Sequence, residues 1–255
     1  MAVIECHGVT KKYGGLVAVD DLSFEVGQGE FFAIVGPNGA GKTTLFDLIS
    51  GHSHATSGVI RFAGEEIQNS PPHAVCRLGL ARTFQTATAF DTQTVLTNVL
   101  VAAVFGQSGP SPWFRFSDEV KEAAVDALAL VGMLDRQEVR AATLPILDRK
   151  RLMLATALTT RPKVLLLDEP VSGLNVSERQ ELIELIAGVA ATGVTVLMIE
   201  HVMKAVQALA KRMLLLHHGQ KIAEGSPSVV LNDERVIEVY LGSLAANRIE
   251  NRGRP

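Results

Sequence analysis

Gly36-Pro37-Asn38-Gly39-Ala40-Gly41-Lys42-Thr43 sets its first and last glycines on either side of four residues, the last followed at once by a lysine and a threonine. That spacing suits a phosphate cradle. A glycine-rich turn aims several backbone N–H groups at a polyanion without side-chain obstruction. Lys42 adds a point charge for the β- and γ-phosphates, and Thr43 a hydroxyl for Mg²⁺. The flanks fit as well: Glu30-Phe31-Phe32-Ala33-Ile34-Val35 reads as a buried strand, and Thr44-Leu45-Phe46-Asp47-Leu48-Ile49 as the first turns of a helix. Because every fixed position and the strand–loop–helix context agree, a simple turn ending a strand explains the segment poorly. The expected ligand is a nucleoside triphosphate with Mg²⁺, held by Gly36 to Thr43 and by Thr44 behind them.

A second set of residues could act on that triphosphate. Val164-Leu165-Leu166-Leu167-Asp168-Glu169-Pro170 is an apolar strand ending in two carboxylates. Alternation along a strand sends neighbouring side chains to opposite sides, so the two acids can do different work. Asp168 suits Mg²⁺ through a water, and Glu169 suits polarisation of an attacking water. Taken alone, such a pair fits a solvated strand end equally well; the upstream cradle favours chemistry. His201 follows Glu200 at the end of the next apolar run, at the carboxyl edge of a sheet, where ligands bind in open α/β folds. From there it could contact the γ-phosphate and hold Glu169 and the water in line. Gln85, in Arg82-Thr83-Phe84-Gln85, could touch Mg²⁺ or its water, although a glutamine alone says little. Tyr13 could stack on a base, or be a surface tyrosine at a turn.

The elements that must position these groups are legible in outline. Val3 to Val26 is strand-rich, with turns at Gly14-Gly15 and Gly27-Gln28-Gly29, and Gly58 to Gly64 looks like another short strand. Together they suggest a small antiparallel layer. Thr94 to Leu158 turns helical, with Lys121 to Val131 at helical spacing and a breaker-rich loop from Gly106 to Trp113. Val164–Leu167 and Val194–Ile199 are continuous apolar runs suited to strands covered on both faces, with a helix from Val176 to Ala190 between them. A last strand pair, Met213–Leu216 and Lys221–Ala223, is joined at His218-Gly219-Gln220, and Asn247 to Pro255 is a polar tail.

Composition narrows the classes. The 255 residues are 47% hydrophobic and only 5% aromatic, enough for one large, mainly aliphatic domain. A net charge of −3 gives no general attraction to nucleic acid. No run of about 18 apolar residues suggests a membrane span, and no basic-then-apolar start suggests a secretory signal. Cys6 and Cys76 lack metal or redox spacing and read as ordinary reduced thiols. His52/His54 and His217/His218 read as surface or loop residues.

Tyr13, the phosphate loop, Gln85, Asp168-Glu169, Ser172-Gly173-Leu174-Asn175 and His201 together resemble the ATP-binding cassette of ABC transporters, over about Val3 to Gly242. The likeness extends to the cytoplasmic subunit of importers for branched-chain amino acids, urea or other small polar solutes. Ala81-Arg82-Thr83-Phe84-Gln85, Asn175, Ile222-Ala223-Glu224-Gly225 and Val236 to Gly242 are similar to that subgroup. The resemblance implies an α/β fold: a P-loop NTPase core with a mainly parallel sheet, an antiparallel β subdomain and an inserted α-helical subdomain. The expected division is 1–90 and 159–242 for core and β layer, 91–158 for the helical part, and 243–255 for the tail. It further implies ATP and Mg²⁺ as ligands, with Thr43, Gln85 and (through water) Asp168 toward the metal. Implied partners are a second cassette, integral membrane permease subunits and, indirectly, an external solute-binding protein. The implied place is the cytoplasmic face of the membrane.

One segment departs from the family. Its signature, Leu-Ser-Gly-Gly-Gln, aligns with Leu144-Pro145-Ile146-Leu147-Asp148. The second glycine normally lets a helix N-terminus approach the γ-phosphate across the dimer. Leu147 adds bulk there; Asp148 adds a negative charge, or supports its own helix end; Arg149 could compensate. This favours a heterodimer with unequal ATP sites. Trp113-Phe114-Arg115-Phe116 could contact the channel or anchor its own loop. Other classes remain open: an ATP-binding subunit with a regulatory or structural role and little hydrolysis, a soluble non-transport ABC ATPase, or a P-loop phosphotransferase, although no acceptor site or lid is recognisable for the last.

Overall fold

Continuous apolar runs form the buried strands, and the phosphate loop hangs from the first of them. The computed structural model describes residues 1–85, 88–107 and 116–239. Trp113, Phe114 and Arg115, the end of the Val236–Gly242 segment, and the tail lie outside the described residues. The elements run β1 (Ala2–Tyr13), β2 (Leu16–Gly27), β3 (Phe31–Val35), α1 (Lys42–Ile49), β4 (Ser57–Phe62), β5 (Glu65–Glu66), α2 (Pro72–Leu78), β6 (Leu80–Arg82), α3 (Val95–Gln107), α4 (Asp118–Leu130), α5 (Ile146–Leu158), β7 (Val164–Asp168), α6 (Val176–Ala191), β8 (Thr195–Ile199), α7 (Met203–Leu209), β9 (Arg212–His217), β10 (Gln220–Gly225) and α8 (Pro227–Leu231). They fall into two compact units. One holds Met1–Asn69 and the described residues from Met198 onward; the other holds Ser70–Leu197.

The first unit contains an antiparallel sheet in the order β2-β1-β4-β5. Its long hairpin closes at Gly14-Gly15, where Tyr13 pairs with Leu16 and Gly14 takes a φ of 58°. The same unit carries β3, buried along its whole length, parallel to β9, with β10 antiparallel beyond it. Residues on both faces of β3 are apolar because both faces are covered. Phe24 of β2 stacks on Phe32 of β3, centroids 5.7 Å apart. Arg212 ties the layers further: its guanidinium lies over Phe32, donates to Glu30 and to the Glu25 carbonyl, and pairs with Glu224.

In the second unit β6 runs parallel to β7, pairing Leu80 with Val164 and Arg82 with Leu166. The start of β8 lies beside β7, where the Thr195 N–H donates to the Lys163 carbonyl at 3.1 Å. Helices α3, α4 and α5 pack on one another, burying Val99, Ala103, Ala124, Leu128 and Leu154. Local chemistry sets the helix starts. Ser117 caps α4, accepting from the Val120 N–H, and Asp118 and Glu119 fill its first turn. Asn175 caps α6 in a reciprocal box: its Oδ1 accepts from the Glu178 N–H at 3.0 Å, and Glu178 accepts from the Asn175 N–H at 2.9 Å. Asn175→Ala removes that box and is expected to cost about 1 kcal/mol. On a chain of this size that is a fall of roughly 2–4 °C in thermal midpoint by differential scanning calorimetry.

The α/β class, the antiparallel layer, the parallel strands and the helical region all match the sequence reading. Five short elements do not come from it: β5, α2, β6, α7 and α8, of two, seven, three, seven and five residues.

Candidate functional site

The phosphate loop folds as a cradle in the first unit. Helix α1 begins at Lys42, directly after Gly41 in a left-handed conformation, and no side chain caps it. Its first amides therefore offer hydrogen-bond donors and the positive end of the helix dipole to an anion. The glycines are required by space as well as by angle. At Gly36, φ is 149° and a Cβ would lie 2.0 Å from the Leu216 carbonyl oxygen. At Gly41, φ is 102° and a Cβ would lie 2.2 Å from the Ala18 carbonyl oxygen. Lys42 folds over the loop, only 7% exposed, and its Nζ donates to the carbonyls of Gly36 at 2.8 Å and Pro37 at 2.9 Å. Thr43 is exposed and Thr44 half-buried. A glycine cradle, a lysine and a threonine hydroxyl form a donor set that fits a metal-bound triphosphate.

Because the Gly36 clash is with backbone, it cannot be relieved by a rotamer change. Gly36→Ala is expected to cost on the order of 1–3 kcal/mol and to weaken ATP binding in parallel. Thermal unfolding and calorimetric titration with ATP check both.

Two further expected residues lie in this unit. Tyr13, at the end of β1, is 48% exposed, with Lys11 Nζ 4.7 Å from its ring centre. Its hydroxyl meets Ser53 Oγ at 3.4 Å. The ring thus offers an exposed aromatic face. His201 is exposed just beyond β8, and its backbone is pinned from within: Glu200, fully buried, accepts from the His201 N–H at 2.9 Å and the Val202 N–H at 3.0 Å. A cavity of about 740 Å³ opens beside Pro37 to Ala40, walled by His217, His218 and Arg235. Pro37 to Ala40 of the phosphate loop line it, whereas Lys42, Thr43 and Tyr13 do not. Burial first, and then the neighbouring His218, hold the His217 imidazole below its ordinary pKa.

The second unit carries the acids. Asp168 ends β7 with 5% exposure, and Arg82 Nη2 donates to its Oδ2 at 3.3 Å. Glu169 lies one residue past the strand, with φ at 47°. Left-handed backbone, rather than the strand alternation assumed from sequence, therefore separates the two carboxylates. Gln85 Nε2 donates to Glu169 Oε2 at 2.8 Å, and Lys150 Nζ reaches the Glu169 carbonyl at 3.5 Å. The arrangement holds one acid in a buried ion pair and the other, half-buried, under an amide.

The segment Leu144 to Asp148 leads into α5. Leu144 and Leu147 are buried, and Asp148 is 5% exposed, paired with Arg136 and, at 3.6 Å, with Arg151. Arg149 pairs with Asp91 at 2.9 Å. What α5 exposes at its start is Pro145 and Ile146, the latter 45% exposed.

The sequence profile of the family described as ABC transporter matches residues 19–172. The chain belongs to this family. A second profile, described as branched-chain amino acid ATP-binding cassette transporter, matches residues 220–246. The chain is 37% identical to the high-affinity branched-chain amino acid transport ATP-binding protein BraF of Pseudomonas aeruginosa, covering 94% of this chain and 98% of the relative. It is 35% identical, over the same shares, to LivG of Escherichia coli K12, described in the same terms. Among solved structures, the ADP conformation of an ATP-binding cassette of an ABC transporter superposes with a TM-score of 0.87 at 30% identity. That match covers 95% of this chain and 99% of the other.

This ABC cassette is thus the ATP-binding subunit of an ABC transporter and an ATPase by family. Its structure gathers Tyr13, the loop and His201 in one unit, and Gln85, Asp168, Glu169 and the signature segment in the other. Sequence reasoning passed over Arg82, Lys150 and Glu200 as contributors. Glu200 had a local signal, an acid directly before the histidine. Arg82 and Lys150 had none, because their partners lie 86 and 19 residues away. Among the described residues no helix is long and apolar enough to cross a membrane, and no group of three or more His, Cys, Asp or Glu could hold a metal by itself.

Proposed function

We propose that this cassette hydrolyses ATP to power import of branched-chain amino acids, working at the cytoplasmic face of the membrane as a peripheral subunit. Its partners would be integral permease subunits, a second cassette and, indirectly, an external solute-binding protein. The observation that carries the solute class is the C-terminal match at residues 220–246, together with the printed roles of BraF and LivG.

In this reading the amides of Gly36 to Thr43 and the Lys42 ammonium neutralise the phosphates, with Thr44 completing the first helical turn. Tyr13 stacks on adenine. Tyr13→Ala is expected to weaken ATP binding by about 1–3 kcal/mol, checked by fluorescence titration with an ATP analogue. Thr43, Gln85 and Asp168, the last through water, would hold Mg²⁺, which supplies charge neutralisation at the phosphates. Glu169 polarises the attacking water and His201 holds it in line with the γ-phosphate. Gln85 pairs with Glu169 and sits on the segment leading to α3, so a change of partner at Gln85 would reach the helical part, residues 91–158, which we assign to contact with the permease.

The altered signature supports the heterodimer. Leu147 is buried, so the bulk expected of it does not reach the surface; α5 instead presents Pro145 and Ile146 where the signature has serine and its first glycine. The partner's ATP site would then hydrolyse poorly, while this chain's site, completed by an ordinary partner signature, would turn over. The same altered segment favours a second reading, an ATP-binding subunit with little hydrolysis of its own. Measuring ATP turnover by the purified chain, then with its partner cassette and permease, separates them. Slow turnover restored by the partner supports the asymmetric motor. Fast turnover by the isolated chain, lost in Glu169→Gln, contradicts the asymmetry. No turnover at this chain's site in the full complex supports the second reading.

A further inference from the structure

We propose that Arg82 is a positioning residue for Asp168, fixing the carboxylate that faces the nucleotide's metal; this rests on the nucleotide-site reading above. Arg82 ends β6 in parallel register with Leu166, so its side chain emerges at the strand edge where Asp168 sits two residues later. The pair is buried, with side chains 5% and 6% exposed, and Nη2 lies 3.3 Å from Oδ2. A guanidinium is planar and permanently charged, so engaging one carboxylate oxygen also restrains the plane of the other. The Phe84 ring, 5.0 Å from the Arg82 Cζ, restrains the guanidinium in turn.

Three residues further on, Gln85 holds Glu169 at 2.8 Å. Residues 82 and 85 therefore grip residues 168 and 169 in parallel, one acid each. Whatever displaces this segment changes the hold on both carboxylates together. A positive charge beside Asp168 opposes metal binding by Coulomb repulsion. Orientation outweighs it here, because a carboxylate acting through a bound water depends on its angle, and partners behind metal-facing groups govern metal affinity. A bare structural ion pair would stabilise the fold without setting metal affinity.

The test is a titration of the full chain, saturated with a non-hydrolysable ATP analogue, with Mn²⁺ followed by electron paramagnetic resonance. Arg82→Met is expected to raise half-saturating Mn²⁺ about 10-fold while metal-free analogue affinity stays within about twofold. Arg82→Lys, which keeps the charge but not the planar fork, should give an intermediate rise. In an Asp168→Asn background, Arg82→Met should add less than about twofold, since the effect runs through that carboxylate. An unchanged or lowered half-saturation in Arg82→Met, or the same rise in the Asp168→Asn background, overturns the proposal. If Arg82→Met does not fold, Arg82→Lys decides alone: an unchanged half-saturation overturns the proposal. Failure of the unsubstituted chain to bind the analogue overturns the nucleotide-site reading instead.

Discussion

Glu169→Gln is expected to lower the rate of ATP hydrolysis in the assembled complex by about 10²- to 10⁴-fold while ATP binding persists, the usual worth of a general base. The substitution is nearly isosteric. Residue 169 sits in left-handed backbone at φ 47°, a strain that glutamine bears as glutamate does. Gln85 Nε2 can still donate to the side-chain oxygen it meets at 2.8 Å. The Lys150 contact is to the carbonyl of residue 169 and is untouched. What the change removes is the negative charge and the proton-accepting oxygen. Single-turnover phosphate release is the measurement. An unchanged rate would assign the attacking water to another group.

Lys42→Ala is expected to weaken ATP binding by about 10- to 100-fold, the range for losing a charge-assisted hydrogen bond. Lys42 is 7% exposed and its ammonium already bridges the carbonyls of Gly36 and Pro37, so the loop is shaped around it. Removing it takes away a brace of the loop and, in the proposed reading, a phosphate ligand. The two contributions separate experimentally. Lys42→Met keeps most of the apolar stem but no charge, so equal affinity losses in the alanine and methionine variants place the effect on the ammonium. Calorimetric titration with ATP, beside thermal melts of both variants, provides the comparison.

The cradle was legible because its chemistry is local. Eight consecutive residues fix a strand end, a turn and a helix start, and each carries its own reason. The long strands were legible for a related reason: Phe31–Val35, Val164–Asp168 and Thr195–Ile199 are buried along their whole length and apolar except at Asp168 and Thr195, as suits strands covered on both faces. Short pieces were not. Leu80–Arg82 has too few residues to show a period, and Met203–Leu209 has too few turns to show a face. The links between distant residues left no mark either. Nothing near Arg82 in sequence announces Asp168, and nothing near Asp148 announces Arg136 as the partner that draws the carboxylate inward. The bend at Glu169 is set by the chain leaving a buried strand end, and glutamate has no special preference for it. Residue types therefore disclosed which groups could do chemistry, while the packing determined how those groups are held.

In the proposed reading, ATP bound at this cradle and attacked with the help of Glu169 drives inward transport. Its most direct test is uptake of radiolabelled leucine into vesicles bearing the complete complex, with the solute-binding protein outside, ATP inside, and phosphate release followed in parallel. Uptake is expected to rise with phosphate release in the unsubstituted complex, and both are expected to be lost in Glu169→Gln. Leucine accumulation that persists in Glu169→Gln, or brisk phosphate release with no branched-chain amino acid taken up, would contradict it.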